Sequence, residues 1–212
     1  MGDALWSSAD RLRHWDSAYR TRGVAGVSWF EATPSVSLSM IEILGVPPDG
    51  AVIDIGGGAS SLVDHLLKLG FGDVTVLDIS ATALETSRCR LPADAPVTWL
   101  NVDLLSWKPE RHYDLWHDRA VFHFLVDHEV RTAYLAALRS AVAPDGAVIL
   151  ATFAPDGPES CSGLPVARYA ADDIASVLGE DFEVIEARPE EHLTPTGATQ
   201  PFTWIAARAK SH

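Results

Sequence analysis

Between residues 51 and 153, short apolar runs alternate with longer stretches that carry helix-capping and helix-stopping residues. Few folds accommodate that rhythm. Apolar runs fall at 51–55, 74–78, 97–101, 113–117 and 147–153. Helices are expected over 62–69, closed by Gly70; over 81–89, with Ser80 as N-cap; and over 129–142, stopped by Pro144-Asp145-Gly146. A strand with no polar face must be covered on both sides, which is the condition of a parallel sheet. The expected fold is therefore α/β: a Rossmann-like, doubly wound sheet in three layers.

After Pro155 the rhythm changes. A helix over 172–178 precedes strands at 182–187 and 202–207, joined by a long polar loop. Two late strands pair antiparallel at the sheet edge, so the sheet is mostly parallel with an antiparallel C-terminal strand. Upstream, a helix starts near Ser7 or Ser8. A second helix, over 34–44, carries Val36, Met40, Ile43 and Leu44 at helical spacing and ends at Gly45, before Pro47 and Pro48. Residues 1–212 read as a single domain, with 1–45 as an N-terminal helical lid or extension.

Composition narrows the partners. The net charge of −13 disfavours nucleic acid, whose binding depends on Lys and Arg neutralising phosphates. It tolerates a basic or neutral substrate. Cys89 and Cys161 are too few for a disulfide framework, so a reducing, cytoplasmic setting is expected. No apolar run is long enough to span a membrane, and no secretory signal opens the chain. Ser7 lies one place late for a lipidation signal after Gly2. No metal is expected: Cys-x-x-Cys is absent, and His117, His123 and His128 have no Glu or Cys at useful spacing.

The chemistry concentrates at strand ends. Asp54-Ile55-Gly56-Gly57-Gly58-Ala59-Ser60 joins the first strand to a helix. Its glycines permit a tight turn and close approach of a ligand to the backbone. A dinucleotide fingerprint would place another glycine where Ser61 stands, and Asp54 is a poor neighbour for a pyrophosphate. That argues against a nicotinamide reductase. Asp54 suits a cationic group such as an amino-acid ammonium. Asp78 ends the second strand, where a carboxylate accepts both hydroxyls of a ribose. Asp103, with Leu104 beside it, follows the third strand and suits an adenine amino group. Asp118 follows the fourth.

This set of acids and glycines resembles the class I methyltransferase family, which binds S-adenosylmethionine. The resemblance runs from about His14 to the C-terminus. It implies that Asp54, Gly56, Gly57 and Gly58 hold the methionine portion. It gives Asp78 the ribose, with Ile79 beside the adenine, and gives Asp103 and Leu104 the adenine. The family often has a further glycine where Ser60 stands here. His14-Trp15-Asp16-Ser17-Ala18-Tyr19 and Ser28-Trp29-Phe30 resemble the prelude of a subgroup that contains protein-lysine methyltransferases. There Trp15, Tyr19 and Trp29 would fold over the cofactor, and aromatic faces suit a sulfonium. The segment 114–124 resembles that subgroup's fourth-strand motif. Asp118 and Arg119 would lie along the cofactor, His123 is the candidate general base, and His117 packs at the strand end.

Methyl transfer from a sulfonium is a direct displacement that leaves S-adenosylhomocysteine, so positioning is the enzyme's main task. Substrate contacts are expected from the long segment after the fifth strand, through Cys161 and Arg168, and from His192 in the loop before the last strand. The acceptor is read as a small molecule: a thiol, a chalcogenide or another metabolite. A protein lysine is the alternative, and a non-catalytic cofactor-binding scaffold is the reading of a different class. Oligomeric state is left open.

Overall fold

The computed structural model describes residues 7–23 and 26–211; residues 1–6, on which the signal and lipidation readings rest, lie outside the described residues. Helix α1 (Ser8–Arg22) begins in a capping box: Ser7 accepts from the backbone of Asp10 while the Asp10 carboxylate accepts in return. Helix α2 (Ser35–Leu44) ends at Gly45, which takes the left-handed conformation with φ 62°. It buries Ser37, Met40, Ile41 and Leu44, whereas Ile43 is exposed. The apolar face is thus turned slightly from the one expected, because Met40 and Leu44 align with Ser37 and Ile41 rather than with Ile43.

The alternation then runs as read, through β1 (Val52–Ile55), α3 (Leu62–Lys68), β2 (Val74–Asp78), α4 (Ala81–Arg88) and β3 (Val97–Asn101). It continues with β4 (Tyr113–Arg119), a short 3-10 turn at Phe122–Phe124, α5 (His128–Ala141) and β5 (Val142–Phe153). Ser80 caps α4 by accepting from Ala83 N at 3.1 Å. The remainder is a small hairpin, β6 (Ser160–Cys161) and β7 (Leu164–Pro165), then α6 (Ala171–Leu178), β8 (Phe182–Leu193) and β9 (Thr199–Ala209).

The large sheet has the order β3-β2-β1-β4-β5-β9-β8. Its first five strands are parallel, β9 is antiparallel to β5, and β8 is antiparallel to β9. Alternate side chains feed two cores. Ile53, Ile55, Val148, Leu150, Ile205 and Ala207 face one, which α5 and α6 close with Tyr134, Leu138, Ile174 and Leu178. Val52, Ile149, Ala151, Trp204 and Ala206 face the other, closed by Met40 and Leu44 of α2 and by Leu62 and Leu66 of α3. This is the expected three-layer sheet.

Two expectations need correction. There is no long polar loop near the C-terminus. Pairing continues from Phe182↔Ala209 to Leu193↔Thr199, so residues 188–193 and 199–201 are strand. The sequence hides this because Arg188, Pro189, Glu190 and Glu191 lie on an edge strand, where polar residues and proline are tolerated. The fifth strand also begins earlier than expected, since Val142 already pairs with Tyr113 before the register shifts.

Candidate active site

The glycine loop leaves β1 at the carboxyl edge of the sheet. Gly56 adopts φ 65°, and a side chain there would run into Val121. Gly58, at φ 32°, leaves no room for a Cβ against the Asp78 carboxylate. Glycine is required at both positions, by backbone conformation and by close approach.

Two joined pockets open over this loop. The smaller is lined by Asp54, Gly56, Gly57, Trp29, Glu31 and Arg119. Asp54 and His117 are register neighbours on β1 and β4. The His117 Nδ1 donates to Asp54 Oδ1 at 2.7 Å, and Nε2 lies 3.0 Å from Ser37 Oγ. His117 therefore packs at the strand end, where its hydrogen bond also orients the Asp54 carboxylate. The other oxygen, Asp54 Oδ2, is buried with no hydrogen-bond partner among the described residues.

Arg119 comes from the end of β4 and its side chain is 10% exposed. Its Nη1 donates to Trp29 O at 2.9 Å, and its Nε lies 3.3 Å from Glu31 Oε2. Its Nη2 is buried without a partner among the described residues. One unpaired carboxylate oxygen and one unpaired guanidinium nitrogen thus line the same small pocket. A buried polar atom left without a hydrogen-bond partner is costly even where its group is otherwise paired. An amino-acid end supplies an ammonium for one and a carboxylate for the other, so the residues present fit the methionine portion of S-adenosylmethionine.

The larger pocket runs along the ends of β2 and β3. Asp78, Ile79, Asp103 and Leu104 line it, with Arg11, Trp15, Tyr19 and Trp29 on the N-terminal side and Cys161 from the β6–β7 hairpin. Asp78 Oδ1 accepts from Ser80 N at 2.7 Å. Burial pushes its carboxyl up to about 7, with the negative charges of Asp54 and Asp16 adding to the effect. Asp103 is held differently. Arg11 Nη2 lies 2.5 Å from Asp103 Oδ2, and Leu105 N donates to Oδ1 at 3.1 Å. Burial opposes its ionisation, but donors from Arg11, Ser8 and Leu105 bring its carboxyl below the ordinary value.

The prelude aromatics form a connected wall. Trp15 meets Phe124 edge-on at 4.9 Å and Trp29 at 5.9 Å, and Tyr19 meets Trp29 at 6.1 Å. Burial, with Asp78 nearby, raises the Tyr19 phenol above its usual range, so it stays neutral.

Four expected residues lie away from these pockets. Asp118 is fully buried beneath β4 and accepts from Tyr134 Oη at 2.6 Å and from Val121 N at 2.8 Å. It ties the strand end to α5, because its position in the strand alternation points it into the core under that helix. His123 is likewise fully buried, its ring against Phe124 and Phe153. Burial first, and Arg119 second, lower its pKa to about 3. A neutral, feebly basic imidazole behind Phe124 is not placed to accept a proton from a substrate. The Arg168 guanidinium turns back on its own segment, donating to Gly157 O at 3.1 Å and pairing with Glu159 at 3.3 Å. His192 lies in a separate open cleft with Glu31 and Glu190.

Sequence reading missed Arg11, Glu31, Val121 and Phe124. Arg11 was within reach: it precedes Trp15 and Tyr19 by successive helical turns on one face of α1. Glu31 left no periodic signal.

Comparison with known proteins agrees with this geometry. A family model described as a methyltransferase domain matches residues 53–148. The trans-aconitate 2-methyltransferase of Rhizobium etli is 38% identical over 77 residues, 36% of this chain and 29% of that protein. EEF1A lysine methyltransferase 2 of Danio rerio is 22% identical over 203 residues, 88% of this chain and 81% of that protein. This chain therefore spans under a third of the rhizobial relative and most of the zebrafish one. The crystal structure of a SAM-dependent methyltransferase from Anabaena variabilis superposes with a TM-score of 0.76 at 19% identity, covering 96% of this chain and 95% of the other. With its carboxylates and glycines at the strand ends, the chain is similar over residues 53–148 to a methyltransferase domain and shares the fold of solved SAM-dependent methyltransferases.

Proposed function

We propose that this chain transfers a methyl group from S-adenosylmethionine to a small-molecule acceptor bound under the aromatic wall. The observation that carries the reading is the pairing of unsatisfied charges, Asp54 Oδ2 and Arg119 Nη2, in one small pocket beside Gly56 and Gly57. The Asp78 carboxylate takes the ribose hydroxyls. Asp103, Leu104 and Ile79 flank the adenine, and residues 1–45 act as the lid of a single domain. The cofactor supplies an activated methyl on a sulfonium, which passes to the acceptor's lone pair as the carbon–sulfur bond breaks.

The chain's own residues position and enclose. Trp15, Tyr19 and Trp29 place aromatic faces where a sulfonium benefits from them. Phe124, Val121 and Cys161 shape the far wall, where close packing holds an acceptor in line and excludes water. His123 is not available as a base, so the acceptor brings its own lone pair, as a thiolate, a chalcogenide or a neutral amine does. The apolar lining favours a compact acceptor over a long charged one. A protein-lysine acceptor is the second reading, favoured by the alignment to the zebrafish lysine methyltransferase across 88% of this chain and by the net charge of −13.

The two cysteines form no disulfide, which supports a cytoplasmic setting. The acidic surface counts against nucleic acid. Among the described residues no helix is long and apolar enough to cross a membrane.

Calorimetric titration with S-adenosylhomocysteine, with NADH as control, tests the cofactor. Wild type should bind the former alone, and Asp78→Ala should lose that binding while still melting cooperatively. Unchanged binding in the variant would remove Asp78 from the site. Labelled methyl transfer to a panel of thiols, amines and lysine-bearing proteins then separates the two acceptors, and a chain that binds but transfers to none of them is a scaffold.

A further inference from the structure

Two carboxylates and an imidazole converge in the open cleft beside the small pocket, and the proposed methyl transfer gives neither Glu190 nor His192 a role. Glu31 comes from the segment before α2. Glu190 and His192 are alternate residues of β8 and so share a face of that strand. Each offers one ligand atom, and these atoms lie within 4.8 Å of one another.

Each group is held from behind. The His192 ring is 4% exposed, and its Nε2 donates to Ser28 O at 2.7 Å. That bond leaves the Nδ1 lone pair bare, and Nδ1 makes no hydrogen bond among the described residues. It points at Glu31 Oε1 across 3.8 Å, too far for a hydrogen bond. An acceptor facing an acceptor repels unless a cation stands between them. The Trp204 indole donates to Glu190 Oε2 at 2.6 Å, which fixes that carboxylate, and Glu190 lies within hydrogen-bond reach of Glu31. Arg119 Nε sits 3.3 Å from Glu31 Oε2, which holds that carboxylate from the pocket side.

We propose that Glu31, Glu190 and His192 bind a divalent transition-metal cation, with zinc the closest match to the donor set. One imidazole nitrogen and two carboxylate oxygens make a three-ligand site with coordination positions left open to the cleft. An imidazole anchored to a backbone carbonyl and a carboxylate anchored to an indole are the outer supports that orient metal ligands. Thr33, Leu193 and Pro195 line the same cleft, through which water or a lone-pair donor reaches the ion. The site goes beyond the methyltransferase reading and stands without it.

The full chain, stripped with a chelator and dialysed, is titrated with zinc chloride by calorimetry. Cobalt chloride is added separately, for its visible absorption. One equivalent of zinc should bind with micromolar or tighter affinity, and cobalt should give a band typical of low coordination number. Glu190→Gln, which keeps an acceptor for Trp204, should weaken zinc binding by about a hundredfold, and His192→Gln by at least as much. Thermal melting and S-adenosylhomocysteine binding monitor the fold of each variant. If His192→Gln does not fold, Glu190→Gln decides alone. Failure of the folded wild type to bind zinc overturns the proposal, as does undiminished affinity in Glu190→Gln. Zinc binding is read without methyl transfer, so either proposal can fail while the other holds.

Discussion

Burial makes Asp78, proposed above to hold the ribose, reluctant to ionise. Its carboxyl is pushed up to about 7, so at pH 6 only about a tenth is charged and at pH 8 about nine-tenths. Ribose hydroxyls donate to the charged form. Affinity for S-adenosylhomocysteine should therefore rise about tenfold from pH 6 to pH 8, as measured by calorimetry in matched buffers. A flat profile would mean that the ribose is held elsewhere. The sign for folding is the opposite. The unfolded acid releases its proton near 3.8 whereas the folded one keeps it to about 7, so Asp78 contributes stability that is full below pH 3.8 and lost as pH rises through 7. The free protein thus bears a cost at neutral pH that the proposed contact with ribose hydroxyls would relieve.

Helix α1, the proposed lid, contributes Arg11, Trp15 and Tyr19 to the wall of the larger pocket. It is fastened to the sheet edge at two polar points. Arg11 pairs with Asp103, and Ser80 Oγ donates to Asp16 Oδ1 at 2.5 Å. Between them Trp15 and Tyr19 roof the pocket. The Arg11–Asp103 pair is partly exposed, at 25% and 8%, which places it near the usual value of about 1 kcal/mol. Arg11→Ala should accordingly weaken S-adenosylhomocysteine binding roughly fivefold, chiefly through faster dissociation, with little change in melting temperature. Surface plasmon resonance checks this. Tighter binding in the variant would show instead that Arg11 competes with the adenine for Asp103.

At the scale of the whole molecule, a net charge of −13 opposes compaction by self-repulsion. Raising sodium chloride from about 0.05 to about 0.5 M screens that repulsion and should raise the melting temperature by about 2 °C; a fall on calorimetry would show that favourable ion pairs outweigh it. The same scale separates what the sequence determined from what only tertiary structure decided. Local spacing determined the elements from β1 to β5, the glycine turn and the acids at the strand ends, because a buried parallel strand and a capped helix write their needs into neighbouring residues. The roles of those acids were less legible. Asp54, Asp78, Asp103 and Asp118 look alike in the chain, yet the first has a free buried oxygen, the second sits against Gly58, the third is tied to Arg11, and the fourth turns under α5. Strand alternation and register make those distinctions, and they depend on where each strand lies in the sheet. The strands of β8 and β9 are legible at 182–187 and 202–207, but their far end reads as a loop because an edge strand carries polar residues that an inner strand cannot. The meeting of Glu31 with Glu190 and His192 is invisible for a further reason: it joins segments far apart in sequence, and chain spacing carries no record of a contact that only the assembled tertiary structure creates.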